Sequence, residues 1–205
     1  MARDMSAPAV LRLARDLGVV PSNAEVTRRG GVNWVSGELE YFGWVMKRVP
    51  GRLTWGLNVG DAKFGPLMSE YGRMVVWIRG PRDEFPVPKR PDDHLIEWLQ
   101  EGLGKAKEFV ADRKDLCVLF ASPEDVWRGD LYAWLPPSNY PARLVKALVL
   151  ARDIGNPEME AQVMGRLRRE RKVDPRTGEL TDVMTEARSW ARQFSAVLGF
   201  DIPLQ

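Results

Sequence analysis

Two Asp-x-Lys patterns are the residues of this sequence whose types and spacing come nearest to a catalytic set. Asp61 and Lys63 follow an apolar run in GDAKFG, and the same spacing recurs at 112–114. A metal-dependent nuclease uses such an acid to hold the metal and such a lysine to stabilise charge at a phosphate. It needs a further acid from a neighbouring strand, and Glu38 or Glu40 could supply it. With 28 acids in the chain the pattern occurs at chance frequency, so a nuclease is our second alternative function.

The single histidine and the single cysteine limit the other chemistries. His94 stands beside two aspartates in PDDHLIEW, where we expect a solvated position in the first turn of a helix. Cys117 stands in the apolar run DLCVLF, which predicts a small buried hydrophobic residue. The sequence contains no phosphate-binding glycine loop, nucleophile elbow or dinucleotide fingerprint. We therefore predict no catalytic residue, no metal and no cofactor.

The stretch LARDLGVVPSNAEVTRR, residues 13–29, has some features of a DNA-reading helix-turn-helix. The positions that should carry apolar anchors for the second helix hold Ala24 and Thr27, which do not serve that purpose. Ser22 and Glu25 form a capping-box pattern, so a short second helix is an alternative. We predict instead an N-terminal helix, a glycine cap and then a loop or an edge strand.

Tryptophan and arginine residues in the N-terminal half predict a surface for another protein. Trp77 lies in RMVVWIR, whose alternation places it on the strand face opposite the aliphatic side chains. Tryptophan and arginine contribute most to binding at protein interfaces, whereas we expect Trp44 and Trp55 in the core. The candidate protein-binding residues are Trp77, Arg73, Arg79 and Trp34.

A basic sheet face with tryptophan also suits single-stranded nucleic acid, because bases stack on aromatic rings. The candidate residues for this alternative are Lys47, Arg48, Arg52, Arg82, Lys89 and Arg90. Residues 1–91 hold 14 basic and 9 acidic side chains, a net charge of +5, whereas residues 92–160 hold 8 and 13, a net charge of −5. This mild asymmetry is far from the balance of a dedicated nucleic-acid-binding protein. Nucleic acid is therefore the alternative partner.

The composition sets the class of protein that must position these residues. A chain of 205 residues with 44% hydrophobic and 28% charged residues can bury a core without disulfides or metals. No run approaches the length of a membrane-spanning helix, and the N-terminus lacks the apolar core of a signal peptide. We expect a cytoplasmic protein with no membrane partner.

A hairpin over residues 38–60 is the strongest local prediction. Pro50 and Gly51 separate two aromatic-rich runs, which is typical of a turn. Pairing Val49 with Arg52 then collects most of the large apolar side chains on one face. The predicted buried face comprises Phe42, Trp44, Met46, Leu53, Trp55, Leu57 and Val59. The opposite face carries Tyr41, Gly43, Val45, Lys47, Thr54, Gly56 and Asn58.

Other strands and helices follow from the spacing of apolar residues. Residues 73–79 predict a third strand and 31–35 a fourth, and the four prolines of 80–93 predict a link without regular structure. Residues 115–121 predict either a buried strand or the start of a helix. The helices are predicted at 7–17, from 92 onward with Asp92 or Asp93 as cap, from 122, at 141–155, at 156–172 and, after a turn at 174–181, at 182–199.

The stretches RLTWGLNVG, DDHLIEWLQEGL and LVKALVLARDIGNPEMEAQVMGRL follow one another behind an N-terminal helix. This order resembles a bacterial family of domains of unknown function, which has a hairpin strand reading approximately F-x-V-N-L-G. The resemblance covers residues 7–168, and Gly56 and the C-terminal extension depart from it. The resemblance implies an α+β fold without a catalytic set, similar to bacterial interaction or immunity-type proteins. The family has no established activity.

Together these observations predict an α+β protein, with an antiparallel sheet of about four strands packed by helices and a helical C-terminal part. Residues 1–91 would hold the N-terminal helix and the sheet, and 92–205 the helices, in one compact domain. The predicted function is a non-enzymatic protein-binding module of bacterial origin, immunity-like or scaffolding, whose partner the sequence does not identify.

Overall fold

The structure is a computed structural model that describes residues 4–68, 73–80, 84–174 and 177–204. It confirms the α+β class and the helical C-terminal part. The helices are α1 (Ala7–Asp16), α2 (Asp93–Leu99), α3 (Arg113–Ala121), α4 (Tyr140–Asp153), α5 (Pro157–Arg169) and α6 (Val183–Leu198). The strands are β1 (Glu25–Val26), β2 (Gly31–Ser36), β3 (Leu39–Val49), β4 (Arg52–Asp61), β5 (Val75–Arg79), β6 (Glu84–Pro86), β7 (Val126–Arg128), β8 (Leu131–Trp134), β9 (Arg171–Val173) and β10 (Leu180–Asp182).

The main sheet is larger than the four strands that the sequence predicts. Its order is β1-β2-β3-β4-β5-β8-β7, and β6 pairs with β4 outside that path. Within the described residues this makes an eight-stranded sheet, and β9 with β10 forms a separate antiparallel pair. The predicted strands at 31–35 and 73–79 are present as β2 and β5.

The N-terminal stretch is not a helix-turn-helix in the described structure. Ser6 caps α1, whose residues Val10, Leu11 and Ala14 are buried, and Gly18 ends it with a left-handed φ of 71°. The chain then runs through a turn into the short strand β1, so the alternative of a second helix is wrong.

The hairpin forms around Pro50 and Gly51, but the predicted buried face of β3 is wrong. Tyr41 and Val45 are buried, whereas Phe42 and Met46 are exposed. A Cβ on Gly43 would lie 3.5 Å from Leu57 Cδ1, and a Cβ on Gly56 would lie 2.2 Å from Trp44 Cζ2. The two strands therefore share faces in a register offset by an odd number of residues from the pairing of Val49 with Arg52. Such an offset moves every side chain of one strand to the other face.

Two short segments that we predict as a link and as a helix are strands. Residues 84–86 form β6, with Phe85 opposite Leu53 and Pro86 opposite Arg52 in β4. Proline is tolerated there because β6 lies outside the main strand path. The predicted helix from residue 122 is wrong: residues 126–128 form β7, and the preceding Asp125 carboxylate accepts a hydrogen bond from the Leu135 amide at 2.5 Å.

The other predicted helices are present with their caps. Asp92 accepts a hydrogen bond from the amide of Leu95 at 2.8 Å, and Asn156 accepts one from Met159 at 3.0 Å. Residues 115–121 lie in α3, which decides between the two predicted alternatives in favour of a helix. A π-helical turn at Gln100–Gly104 continues α2, and nothing in the sequence analysis predicts it.

The chain divides into two compact units that are interleaved along the sequence. Unit 1 comprises Met1–Gly60, Trp77–Val110 and Trp127–Ala133, and unit 2 comprises Asp61–Val76, Ala111–Val126 and Trp134–Gln205. In unit 2, α4 packs against α3, α5 and α6. Residues 140–151 of α4 are all buried, which explains its nearly continuous apolar sequence.

Candidate functional site

The acid of the predicted nuclease pattern, Asp61, is a structural anchor inside unit 2. Its side chain is fully buried and accepts hydrogen bonds from the backbone amides of Lys63 at 3.1 Å and Phe64 at 2.7 Å. Arg113 donates to it through Nε at 2.6 Å and contacts Asp153 through Nη2 at 2.7 Å. Lys63 forms an ion pair with the same Asp153. These partners hold the Asp61 carboxylate inside the protein.

The pKa values in this group follow from its pairing. Burial acts to lower the pKa of Arg113, but hydrogen bonds from its guanidinium to Asp153 and Asp61 outweigh burial and raise it. Burial acts to raise the pKa of Asp153, and its contacts with Lys63 and Arg113 lower it overall. Arg113 and Asp153 are therefore held in their charged states. Across the described ranges, no set of three or more histidine, cysteine or acidic side chains is placed to hold a metal ion.

Two further buried cations of unit 2 are satisfied by the backbone. Arg143 donates to the carbonyls of Ser122 at 2.5 Å and Leu135 at 3.2 Å, and burial lowers its pKa to about 10. Lys146 donates to the carbonyl of Arg73 at 2.7 Å, and burial together with the nearby Arg143 lowers its pKa to about 8. Cys117 is buried as predicted, and burial raises its pKa to about 12, so the thiol is unreactive.

The predicted protein-binding residues are dispersed rather than gathered on one surface. Trp34 is only 7% exposed and stacks on Tyr41 with ring centroids 4.8 Å apart, so its predicted surface position is wrong. Trp77 is 40% exposed, and the Arg79 guanidinium lies 5.5 Å from the centre of its ring. Arg73 is exposed but belongs to unit 2, whereas Trp77 and Arg79 belong to unit 1.

The structure adds two aromatic residues to the surface of Trp77. Trp127 is 60% exposed and stacks on Tyr132 with ring centroids 4.6 Å apart. β8 is the sheet neighbour of both β5 and β7. A Cβ on Gly80 would lie 2.8 Å from Leu131 Cδ2, so these two residues point to the buried side of the sheet.

Because side chains alternate along a strand, Arg79 and Trp77 in β5 and Tyr132 in β8 point to the side opposite Gly80 and Leu131. Trp127 joins them through its stacking on Tyr132. These four residues of unit 1, Trp77, Arg79, Trp127 and Tyr132, are what we call the aromatic face. The sequence analysis missed Trp127 and Tyr132 because it assigned 122–127 to a helix. The alternation of side chains in DLYAW, residues 130–134, could have predicted a strand there. It follows Gly129, which has the left-handed conformation that β-turns favour.

The candidate nucleic-acid-binding residues do not form a bare basic surface. Lys47 lies 3.8 Å from the Asp4 carboxylate, and Arg52 lies 3.8 Å from that of Glu84. Lys89 and Arg90 are exposed. The side chain of Arg48 and the whole of Arg82 lie outside the described part of the structure.

Unit 1 contains a cleft of about 1180 Å³ that the sequence analysis did not predict. Its walls come from β4, β6, α2, the π-helical turn and the connection between β7 and β8. The aromatic side chains in the walls are Trp55, Phe85, Trp98 and Phe109, and the Phe85 and Trp98 rings lie 5.3 Å apart. His94 lines the same cleft from the first turn of α2, exposed as predicted.

Acidic side chains outnumber basic side chains in the lining of the cleft. Each of its basic side chains other than His94 is already engaged: Arg52 with Glu84, Lys105 with Glu101, and Arg128 with the carbonyl of Phe109, whose ring centre is 4.9 Å away. Glu97, Glu108 and Asp130 also line the cleft and are exposed. Among the described residues they form no ion pair. The cleft therefore carries a net negative charge next to aromatic walls.

The π-helical turn brings Gly102 against the indole of Trp55 in the wall of this cleft. A Cβ on Gly102 would lie 2.5 Å from Trp55 Nε1. Within the described part of the chain that indole nitrogen is buried without a hydrogen-bond partner. π-Helical turns occur often at functional sites, because they alter the direction in which side chains project.

Comparison of the chain with protein-family models, with curated proteins and with solved structures found no match to any of the three. Of the helices in the described ranges, none has the length and apolar composition needed to cross a bilayer.

Proposed function

We propose that this chain is a non-enzymatic protein-binding module whose aromatic face docks a partner protein. The single observation that carries the proposal is the exposure of Trp77 and Trp127 on one side of adjoining strands, together with Arg79 and Tyr132. Tryptophan, tyrosine and arginine are the residues most enriched among those that dominate binding energy at protein interfaces.

The chemistry of the aromatic face favours an apolar partner surface that carries acidic groups. Its described side chains include a guanidinium and no carboxylate, so an acidic partner complements its charge. The Arg79 guanidinium lies 5.5 Å from the centre of the Trp77 ring, so a positive charge lies beside the apolar surface that the ring offers to a partner.

The test is affinity capture of the tagged protein from a nuclease-treated lysate of its native cell, with the recovered proteins identified by mass spectrometry. We expect one stoichiometric protein that is retained by wild type and lost from both Trp127→Ala and Arg79→Glu. The matched control is Leu180→Ala, which shortens a side chain that is equally exposed at 60% but lies in unit 2. Circular dichroism of each variant establishes that it is folded.

Three results contradict the proposal. The captured protein could remain with both aromatic-face variants, or no stoichiometric protein could be captured. Nuclease treatment could also release nucleic acid and every co-purifying protein with it, which would favour the alternative function of nucleic-acid binding. In that case binding should also fall steeply with salt.

A further inference from the structure

The cleft of unit 1 is separate from the aromatic face and has a different chemistry. A volume of about 1180 Å³ slightly exceeds the range of roughly 300–1,000 Å³ that is typical of pockets for small organic ligands. Its walls combine aromatic rings with many charged side chains, so the cleft is more polar than most such pockets.

The carboxylates of Glu97, Glu108 and Asp130 indicate the charge of the ligand. Arg52 and Lys105 are paired with Glu84 and Glu101, so the single guanidinium of Arg128, which donates to the carbonyl of Phe109, is left against these three acids, and the lining keeps a net negative charge. They also do not belong to any group of the described residues that is placed to share one metal ion. A ligand that pairs with all three must carry several positive charges at some distance from one another.

The aromatic rings that line the same cleft indicate what joins the charges of the ligand. Phe85 is half-buried and offers apolar surface to methylene groups, Trp98 beside it is 7% exposed, and aromatic faces also attract ammonium groups. A compact inorganic cation would leave that surface unused. We propose that the cleft binds a linear aliphatic polyamine, whose ammonium groups pair with Glu97, Glu108 and Asp130 while its methylene chain lies on the rings.

The experiment is a calorimetric titration of the full chain with spermidine, a triamine, in about 0.15 M salt, which screens weak long-range attraction. The same titration is followed by the indole N–H resonances in NMR spectra. We expect one binding site, with the largest shift at the indole of Trp98. Cobalt(III) hexaammine carries the same charge of about +3 in a compact shell without methylene groups, and it should bind at least about tenfold more weakly.

The variants test the three carboxylates directly. Each of Glu97→Gln, Glu108→Gln and Asp130→Asn should raise the dissociation constant about fivefold, and the triple variant about a hundredfold, as exposed ion pairs predict. The matched control removes three exposed acids outside the cleft, in Glu25→Gln, Glu158→Gln and Asp201→Asn, and should change the constant by less than about twofold.

The proposal is overturned if spermidine gives neither heat nor resonance shifts at 1 mM, or if cobalt(III) hexaammine binds equally tightly at the same resonances. It is also overturned if the folded triple variant binds like wild type. If circular dichroism shows that the triple variant is unfolded, the three single variants replace it. The proposal is then overturned if all three, when folded, bind spermidine like wild type. Because the proposal does not depend on the aromatic face, Trp127→Ala should leave spermidine binding unchanged.

Discussion

In unit 2 the buried charged side chains are bound by one another, by backbone amides and carbonyls and, for Arg143, by the Asn139 side chain, whereas the acids at the cleft of unit 1 remain exposed. In unit 2 the buried Arg113 joins the buried Asp61 to Asp153, whose side chain is 20% exposed. Glu97 and Glu108 stand beside aromatic walls in unit 1 and form no ion pair with the described residues. Burying an uncompensated charge costs several kcal/mol, but leaving one exposed costs little.

This difference separates two roles of charge in one chain. A charge whose partners lie within the protein contributes to the stability or specificity of the fold. A charge without such a partner, placed next to apolar surface in a cleft, remains available to a ligand. Four variants test the comparison, and they are described in order of decreasing expected effect.

Asp61→Ala should have the largest effect on stability. It leaves the buried guanidinium of Arg113 with one of its two carboxylates and removes the acceptor of two backbone amides. We expect the free energy of unfolding to fall by about 3–5 kcal/mol, measured by urea denaturation. The control Glu158→Ala, at an exposed position, should change it by less than about 0.5 kcal/mol. A loss below about 1 kcal/mol for Asp61→Ala would contradict our description of the buried group.

Lys146→Met should change how stability depends on pH. Burial lowers the pKa of Lys146 from 10.5 to about 8 in the folded state. Between these values the unfolded chain holds a proton that the folded chain has released, so the free energy of unfolding rises with pH. The rise is about 3 kcal/mol at 1.36 kcal/mol per pKa unit. Subtracting the pH profile of Lys146→Met from that of wild type isolates the contribution of Lys146 to this rise. Equal slopes for both proteins from pH 8 to 10.5 would refute the lowered pKa of Lys146.

Gly102→Ala tests the packing of the cleft wall in unit 1. The added methyl would lie 2.5 Å from Trp55 Nε1, so the indole or the π-helical turn must move. We expect a loss of about 1–3 kcal/mol and a shift of the Trp55 indole resonance. The matched control is Gly104→Ala in the same turn, where the new methyl meets only ordinary contacts at 3.6 and 3.7 Å. Equal stability of the two variants would show that Gly102 does not determine the packing of Trp55.

Neutralising the cleft acids should have the smallest effect on stability. The triple variant Glu97→Gln, Glu108→Gln and Asp130→Asn removes no ion pair among the described residues. We expect a change in the free energy of unfolding within about 0.5 kcal/mol per site, and in the stabilising direction if the acids repel one another. A loss as large as that of Asp61→Ala would remove the distinction between the two regions.

Much of the local structure could be predicted from the sequence. The caps at Asp92 and Asn156, the turn at Pro50-Gly51 and the alternation of residues 73–79 are signals carried by a few neighbouring residues. The buried position of Cys117 followed from its apolar neighbours. Such features depend on backbone geometry and side-chain type, which are the same wherever the segment lies in the fold.

The candidate sites could be predicted only in part, because they depend on residues far apart in the chain. Trp77 was predicted, but its neighbours on the aromatic face come from a hairpin about 50 residues later. Trp34 was placed on the surface because the sequence does not show that Tyr41 stacks on it. The cleft depends on five separate elements, so no local pattern could have revealed it.

The sequence by itself determined the α+β class, most helix boundaries, the strand at 73–79 and the chain's mild charge asymmetry. Only the tertiary structure decided the register of the β3–β4 hairpin, because an alternating pattern with aromatic residues on both faces fits either register. It also decided which charges are structural: Arg113 reaches Asp61 across 52 residues of sequence, whereas no described residue comes to pair with Glu97. Charge composition is a property of the sequence, but neutralisation requires two groups to meet in space.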